Sequence, residues 1–217
     1  MKKIVGISVL LLMGSLAANS AVASGWKKYR VTITNATVAH VITPPLIVIH
    51  NHHFKLFEVA TKASEGLAIQ AETGNPGIIA AEVKGTRGVY NVITGAAPIL
   101  YGHKASFDFR APSNARISVT GMLATTNDAF TGISSKALPK RMISYMAETY
   151  DAGSEDNNEL CIDIPGPPCG GANDPISTDG EGFISIHNGV SGIGDLTPAT
   201  LDWRGATSII TVSRIRH

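Results

Sequence analysis

The sequence predicts a mainly β protein, a two-sheet antiparallel sandwich with one or two short helices inserted early in the chain. Three observations carry this reading. Strand-length runs rich in β-branched and aromatic residues recur along the chain, separated by Gly-, Pro- and Asn-rich turns. Several of these runs alternate apolar and polar residues, the period of a strand with one buried face. Helix signals are confined to residues 63–82, and the chain has neither internal repeats nor a low-complexity segment.

The first residues belong to export rather than to the sandwich. Met1-Lys2-Lys3 is followed by an apolar run over 4–16 and by Ala21-Val22-Ala23, a positive start, an apolar centre and a small-x-small cleavage motif. A signal peptide over 1–23, cleaved after Ala23, is expected. The run is shorter than the roughly 20 residues of a spanning helix, and no second stretch of that length follows, so the mature chain is expected to have no membrane span. Residues 24–217 are then expected to form a single domain, periplasmic or secreted. The whole chain carries 18 Lys and Arg against 17 Asp and Glu. Losing Lys2 and Lys3 turns the formal +1 into −1. A near-neutral domain has no basic stripe for nucleic acid, so no nucleic-acid partner is expected.

Taken in order, Trp26–Asn35 alternates and is rich in β-branched residues, which predicts a strand with one buried face. Leu46–His50, following Pro44-Pro45, is a shorter and wholly apolar run ending in His50. Residues 63–73 read as a short helix, with Ser64 at the N-cap and Gly74 stopping it. Asn75-Pro76 then reads as a cap and first-turn proline for a second helical piece through Glu82. Strands are expected again at Val89–Thr94, 105–109, 115–124 and 142–150, and in the last third at 182–187 and Ser208–Ile215.

The only cysteines, Cys161 and Cys169, are separated by a stiff, proline-containing loop. An even count in an exported chain favours a disulfide between them. Zinc is the alternative, but the short Cys-to-Cys spacing it prefers is absent.

Two clusters invite a metal reading. His50, His52 and His53 lie within four residues, and imidazole is a common transition-metal ligand. Copper or zinc held by these residues, with His103 as a further candidate ligand, is the alternative function. Neighbouring strand residues point to opposite faces, however, which favours a structural His50 with solvated His52 and His53. The second cluster is Tyr150-Asp151-Ala152-Gly153-Ser154-Glu155-Asp156-Asn157-Asn158-Glu159. Carboxylates at this density are either a solvated turn or a set of oxygens converging on a cation. Calcium suits the second case because it takes about 6–8 hard oxygens in irregular geometry. The spacing is not that of an EF-hand. Glu159, at the far end, is expected to matter little to calcium binding.

No sequence motif supports catalysis. Nucleophile-elbow, zincin and phosphate-loop patterns are missing, and Gly192-x-Gly194 lacks the third glycine of a dinucleotide site. His187, Asp195 and Ser191 can be drawn as a triad, but spacing alone carries no weight. A tight loop whose glycines supply positive φ explains 187–195 better. A non-enzymatic protein is expected.

Several segments resemble one family. Leu56-Phe57-Glu58, Ala63-Ser64-Glu65-Gly66-Leu67 and Ala71-Glu72-Thr73-Gly74 are similar to the N-terminal part of the spondin-type (F-spondin N-terminal) domain. Thr126-Asn127-Asp128-Ala129-Phe130 resembles its Ser-Pro-Asp-Trp-Phe-like loop, with Ala129 where a tryptophan is usual. Tyr150-Asp151-Ala152-Gly153-Ser154-Glu155 resembles its Tyr-Asp-Ala-Gly-Thr-Asp/Glu stretch, and Asp202-Trp203-Arg204 resembles the bacterial branch. The resemblance covers almost the whole chain after the leader. It implies a C2-like β-sandwich with calcium in loops at one end, ligated here by Asp128, Asp151 and Glu155. It also implies an exported, non-catalytic module for binding or adhesion to an unidentified extracellular or cell-surface ligand, such as a matrix component or protein. In this reading Asp128 follows one strand and Asp151 the next, so the intervening segment 132–141 is expected to cross the top of the sandwich.

Overall fold

The structure, a computed structural model, describes residues 25–171 and 180–216. The expected signal peptide lies outside the described residues. The described residues form ten strands and three short helices: β1 (Trp26–Asn35), β2 (Leu46–His50), α1 (Glu65–Thr73), α2 (Gly77–Val83), β3 (Val89–Thr94), β4 (Lys104–Pro112), β5 (Arg116–Met122), β6 (Ala129–Ala137), β7 (Met142–Ala147), β8 (Thr149–Asp151), β9 (Ser185–Ile186), α3 (Pro198–Leu201) and β10 (Ser208–Ile215).

These strands form two sheets with antiparallel pairing throughout. One has four strands in the order β4-β1-β10-β7, the other six in the order β3-β2-β5-β6-β8-β9. Alternation along β1 turns Tyr29, Val31 and Ile33 inward, where they meet Phe109, Ile47, Ile49, Ile117, Val119, Ile210 and Val212 between the sheets. The six-stranded sheet also carries a layer on its other face. Leu46 and Val48 of β2 pack there with Leu67 and Ala71 of α1, Ile79 of α2 and the aromatic pair Phe57 and Phe130. β2 is therefore buried on both faces, which is why it reads as a continuous apolar run instead of an alternating one.

Local chemistry explains the helices. Ser64 Oγ accepts from Leu67 N and caps α1, and Gly74 closes it with φ 73°. Asn75 Oδ1 accepts from Gly77 N at 2.8 Å and so caps the start of α2 beside Pro76. α3 and β6 were not foreseen in the sequence.

β6 corrects the expected crossing. Residues 129–137 form a strand between β5 and β8, with Ala129 opposite Asp151. Asp128 therefore stands at the entrance of a strand and Asp151 at the exit of its antiparallel neighbour. A ladder alone brings the two together. The expected strand 142–150 is in fact divided between the sheets, as β7 in the four-stranded one and β8 in the other.

Cys161 and Cys169 form the expected disulfide, with Cα atoms 4.7 Å apart. It closes a loop beside a third apolar cluster of Ile164, Val190, Leu196 and Leu201.

Candidate metal centre

Three of the four carboxylates in the acidic stretch turn inward, and Asp156 stays exposed. Asp151, Glu155 and Glu159 are 4%, 2% and 7% exposed, and Asp128 is wholly buried. The solvated-turn alternative thus fails for every one of these carboxylates, and each needs a compensating partner.

Asp128 is set in place by its own loop. Thr126 Oγ accepts from Ala129 N at 3.1 Å and donates to Leu123 O at 2.7 Å, tightening the turn from β5 into β6. Asp128 Oδ2 then accepts three bonds, from Ser154 N at 2.8 Å, Ser154 Oγ at 3.1 Å and Glu155 N at 3.1 Å. The 151–155 turn wraps around this oxygen, with Gly153 at φ 67° where its neighbours leave no space for a Cβ. Asp128 Oδ1 is buried and has no hydrogen-bond partner.

Glu155 shows the same division. Asn127 holds it through a side-chain hydrogen bond, yet Oε2 is buried without a partner. Asp151 differs: Oδ1 accepts from Gly153 N at 2.6 Å and Oδ2 from the Asn157 amide. Glu72 on α1, which the sequence reading did not include, is buried nearby and adds negative charge at Glu155, as does Asp163.

Burial and crowding hold protons on these acids. Desolvation, then the Asp151 charge, pushes the Asp128 carboxyl up to about 7. Desolvation, then Glu72, Asp128 and Asp163, pushes Glu155 up to about 8. Asp151 is also raised, first by burial. Among the described residues no three His, Cys, Asp or Glu side chains are grouped to hold a metal ion as they stand.

Glu159 is the hub of the next loop, a structural role that the sequence reading did not address. It adopts φ 56° and receives Ser191 N at 2.6 Å, Ser191 Oγ at 2.8 Å, Gly192 N at 2.7 Å and Ile193 N at 3.2 Å. Its interaction partners lie more than thirty residues away in sequence, so nothing local signalled them.

The model of the Spondin_N family matches residues 30–158, more than half of the chain. This chain belongs to the Spondin_N family. No curated protein matches it. The matched stretch ends inside the acidic run, so Asp128, Asp151 and Glu155 lie within the spondin domain match, while Glu159 and the disulfide fall beyond it. The chain is a spondin-like module of extracellular type, and the family is a non-enzymatic one.

Among the described residues the histidines do not form a metal-holding cluster with one another or with the acids. His50 is buried with both ring nitrogens engaged, Nδ1 with Asn51 O at 2.7 Å and Nε2 with Ser118 Oγ at 2.8 Å. His52 and His53 are exposed and lie ring against ring, and His103 is exposed elsewhere. The drawn triad is not assembled: Ser191 bonds Glu159, Asp195 accepts from Cys161 N at 2.8 Å, and His187 Nδ1 accepts from Gly189 N at 3.0 Å. Gly189 and Gly192 carry the positive φ expected of a tight loop. His187 and His40 flank Trp203, and burial pushes His187 down to about 4, so it stays neutral. Beside the acids opens a cleft of about 360 Å³, lined by Asn127, Asp151, Asn157, Glu181, His187 and Ile193 among others.

Proposed function

We propose that this spondin domain is an exported calcium-binding module whose ion fixes the loops at one end of the sandwich for binding an extracellular or cell-surface ligand. The observation that carries the reading is the pair of buried, unpartnered carboxylate oxygens, Asp128 Oδ1 and Glu155 Oε2. A buried carboxylate oxygen without a donor is costly, and a hard cation answers that cost where no N–H is available. The donor set consists of carboxylates and amides, which suits calcium better than a transition metal.

In this reading Asp128 and Glu155 form the nucleus of the site, and Asp151 joins them on releasing the Asn157 amide. Glu72 adds negative charge from α1. Calcium supplies charge neutralisation and pins the 151–159 loop against the entrance of β6. The neighbouring cleft is thereby pre-shaped, which lowers the ordering cost of docking a ligand.

Chelator-treated protein titrated with calcium by calorimetry tests the proposal. Saturable one-site binding is expected, weakened by Glu155→Gln. Absence of any binding heat or calcium-dependent signal at millimolar calcium contradicts it.

A further inference from the structure

β7 is the outermost strand of the four-stranded sheet and pairs with β10 on one side. The carbonyls of Arg141 and Ala147 accept from the β10 side, from Arg214 N at 2.7 Å and Thr207 N at 3.2 Å. Backbone groups alternate in an antiparallel ladder, so Met142, Ser144 and Met146 turn their amides and carbonyls away from β10. Among the described residues no other strand is paired along that side of β7.

The two edges of this sheet differ in chemistry. β4, at the opposite edge, presents Lys104, Asp108 and Arg110, the charged protection usual for an exposed strand. β7 has no charge within its six residues, and it leaves Met142 and Met146 67% and 66% exposed. Its charges stand at the flanks, Lys140 before it and Glu148 after it, both exposed.

The order of these residues is self-complementary. Met142, Ser144 and Met146 share one face of β7, and with Lys140 and Glu148 at its flanks the spacing along the chain is symmetric about Ser144. We propose that two copies of this chain join antiparallel through β7, centred on Ser144, into one continuous eight-stranded sheet. Met142 then lies opposite the partner's Met146, Ser144 opposite the partner's Ser144, and Lys140 opposite the partner's Glu148. All three outward amides and carbonyls acquire partners. A two-fold axis through the strand pair makes every contact occur twice, the isologous arrangement of a closed dimer. Centring the pair on Ile143 or Tyr145 instead sets a methionine against Lys140 or Glu148, so apolar and charge matching select one register. Room exists beside the second half of the strand: a groove of about 470 Å³ is lined there by Ser144, Met146 and Glu148 and walled by Ile133, Ser134 and Lys136.

Sedimentation velocity of the full chain across the micromolar range tests the dimer. Wild type is expected to dimerise with concentration. Ser144→Pro removes an outward amide and is expected to leave a folded monomer, with folding checked by thermal melting. Glu148→Lys, a surface change, sets like charges opposite and is expected to raise the dimer dissociation constant by about tenfold or more. Adding Lys140→Glu restores opposite charges and is expected to bring the constant back to within about threefold of wild type. Wild type that stays monomeric throughout overturns the proposal, as does a dimer indifferent to Ser144→Pro and Glu148→Lys. Failure of the double variant to recover overturns the register.

Discussion

Asp128 holds the backbone amide of Glu155 at 3.1 Å through Oδ2, while its own Oδ1 and the Oε2 of Glu155 both lie buried without a partner. The turn-capping role long associated with aspartate explains the first oxygen. It does not explain the other two. The same contact that builds the 151–155 turn therefore carries two acids into the interior and leaves half of their hydrogen-bonding capacity unmet.

This arrangement gives the metal-free protein a pH dependence of definite sign. Asp128 and Glu155 are pushed up to about 7 and about 8, from ordinary values of 3.8 and 4.5. The folded state therefore keeps protons that the unfolded chain has released, and this contribution to stability is full below about pH 4 and lost as pH rises to 7–8. Asp128→Asn cannot titrate there. In chelator, its stability relative to wild type is expected to improve between about pH 4 and about pH 8. A cation ligated by the proposed site has to displace the same protons, so the calcium affinity of wild type is expected to fall as pH drops below 7. Denaturant unfolding at several pH values measures the first and calorimetric titration the second; a pH-independent difference between variant and wild type counts against both.

Glu159→Gln separates the structural acid from the proposed ligands. The carboxylate receives three backbone amides and the Ser191 hydroxyl, and a glutamine side chain must turn donors toward donors. A loss of about 1–3 kcal/mol is expected from unmet buried donors. The calcium response is expected to persist in this variant, and chemical denaturation with and without calcium checks both statements.

Gly132→Ala tests the strand that positions Asp128. A Cβ at Gly132 runs into the Val119 carbonyl across the β5–β6 ladder. Backbone, unlike a flexible side chain, yields little, so a loss of about 2 kcal/mol or more is expected. Thermal melting measures it, and a variant as stable as wild type refutes the close approach.

The Cys161–Cys169 disulfide closes a short loop, with a sequence separation of 8. Chain entropy alone gives it about 2.5 kcal/mol. Melting with and without reductant is expected to show a loss of that order, with intact mass confirming the bond.

How far the sequence carried these conclusions depended on how local each signal was. The alternation of Trp26–Asn35, the continuous apolar run Leu46–His50 and the Ser64 and Gly74 caps are written in adjacent residues, and all are present in the fold. β6 was missed because Gly132, Ser134 and Ser135 dilute the strand propensity of Phe130, Thr131 and Ile133, and because its main requirement, close contact with β5, is tertiary. Asp128 and Glu155 were legible through the family resemblance. Glu72 was not, since only the packing of α1 against the six-stranded sheet brings its charge to them. Glu159 looked peripheral in a linear reading and is central once the 191–193 loop folds over it.

The central claim is that Asp128, Asp151 and Glu155 share one calcium ion, and thermal melts in chelator and in millimolar calcium test it most directly. An ion that binds the folded state and hardly the unfolded chain adds about 2.7 kcal/mol at a hundredfold excess over Kd. Wild-type melting temperature is expected to rise with calcium, and Asp128→Asn, Asp151→Asn and Glu155→Gln are expected to weaken or abolish that rise. A flat wild-type response, with the Asn variants as stable as wild type or more so in both buffers, contradicts the account.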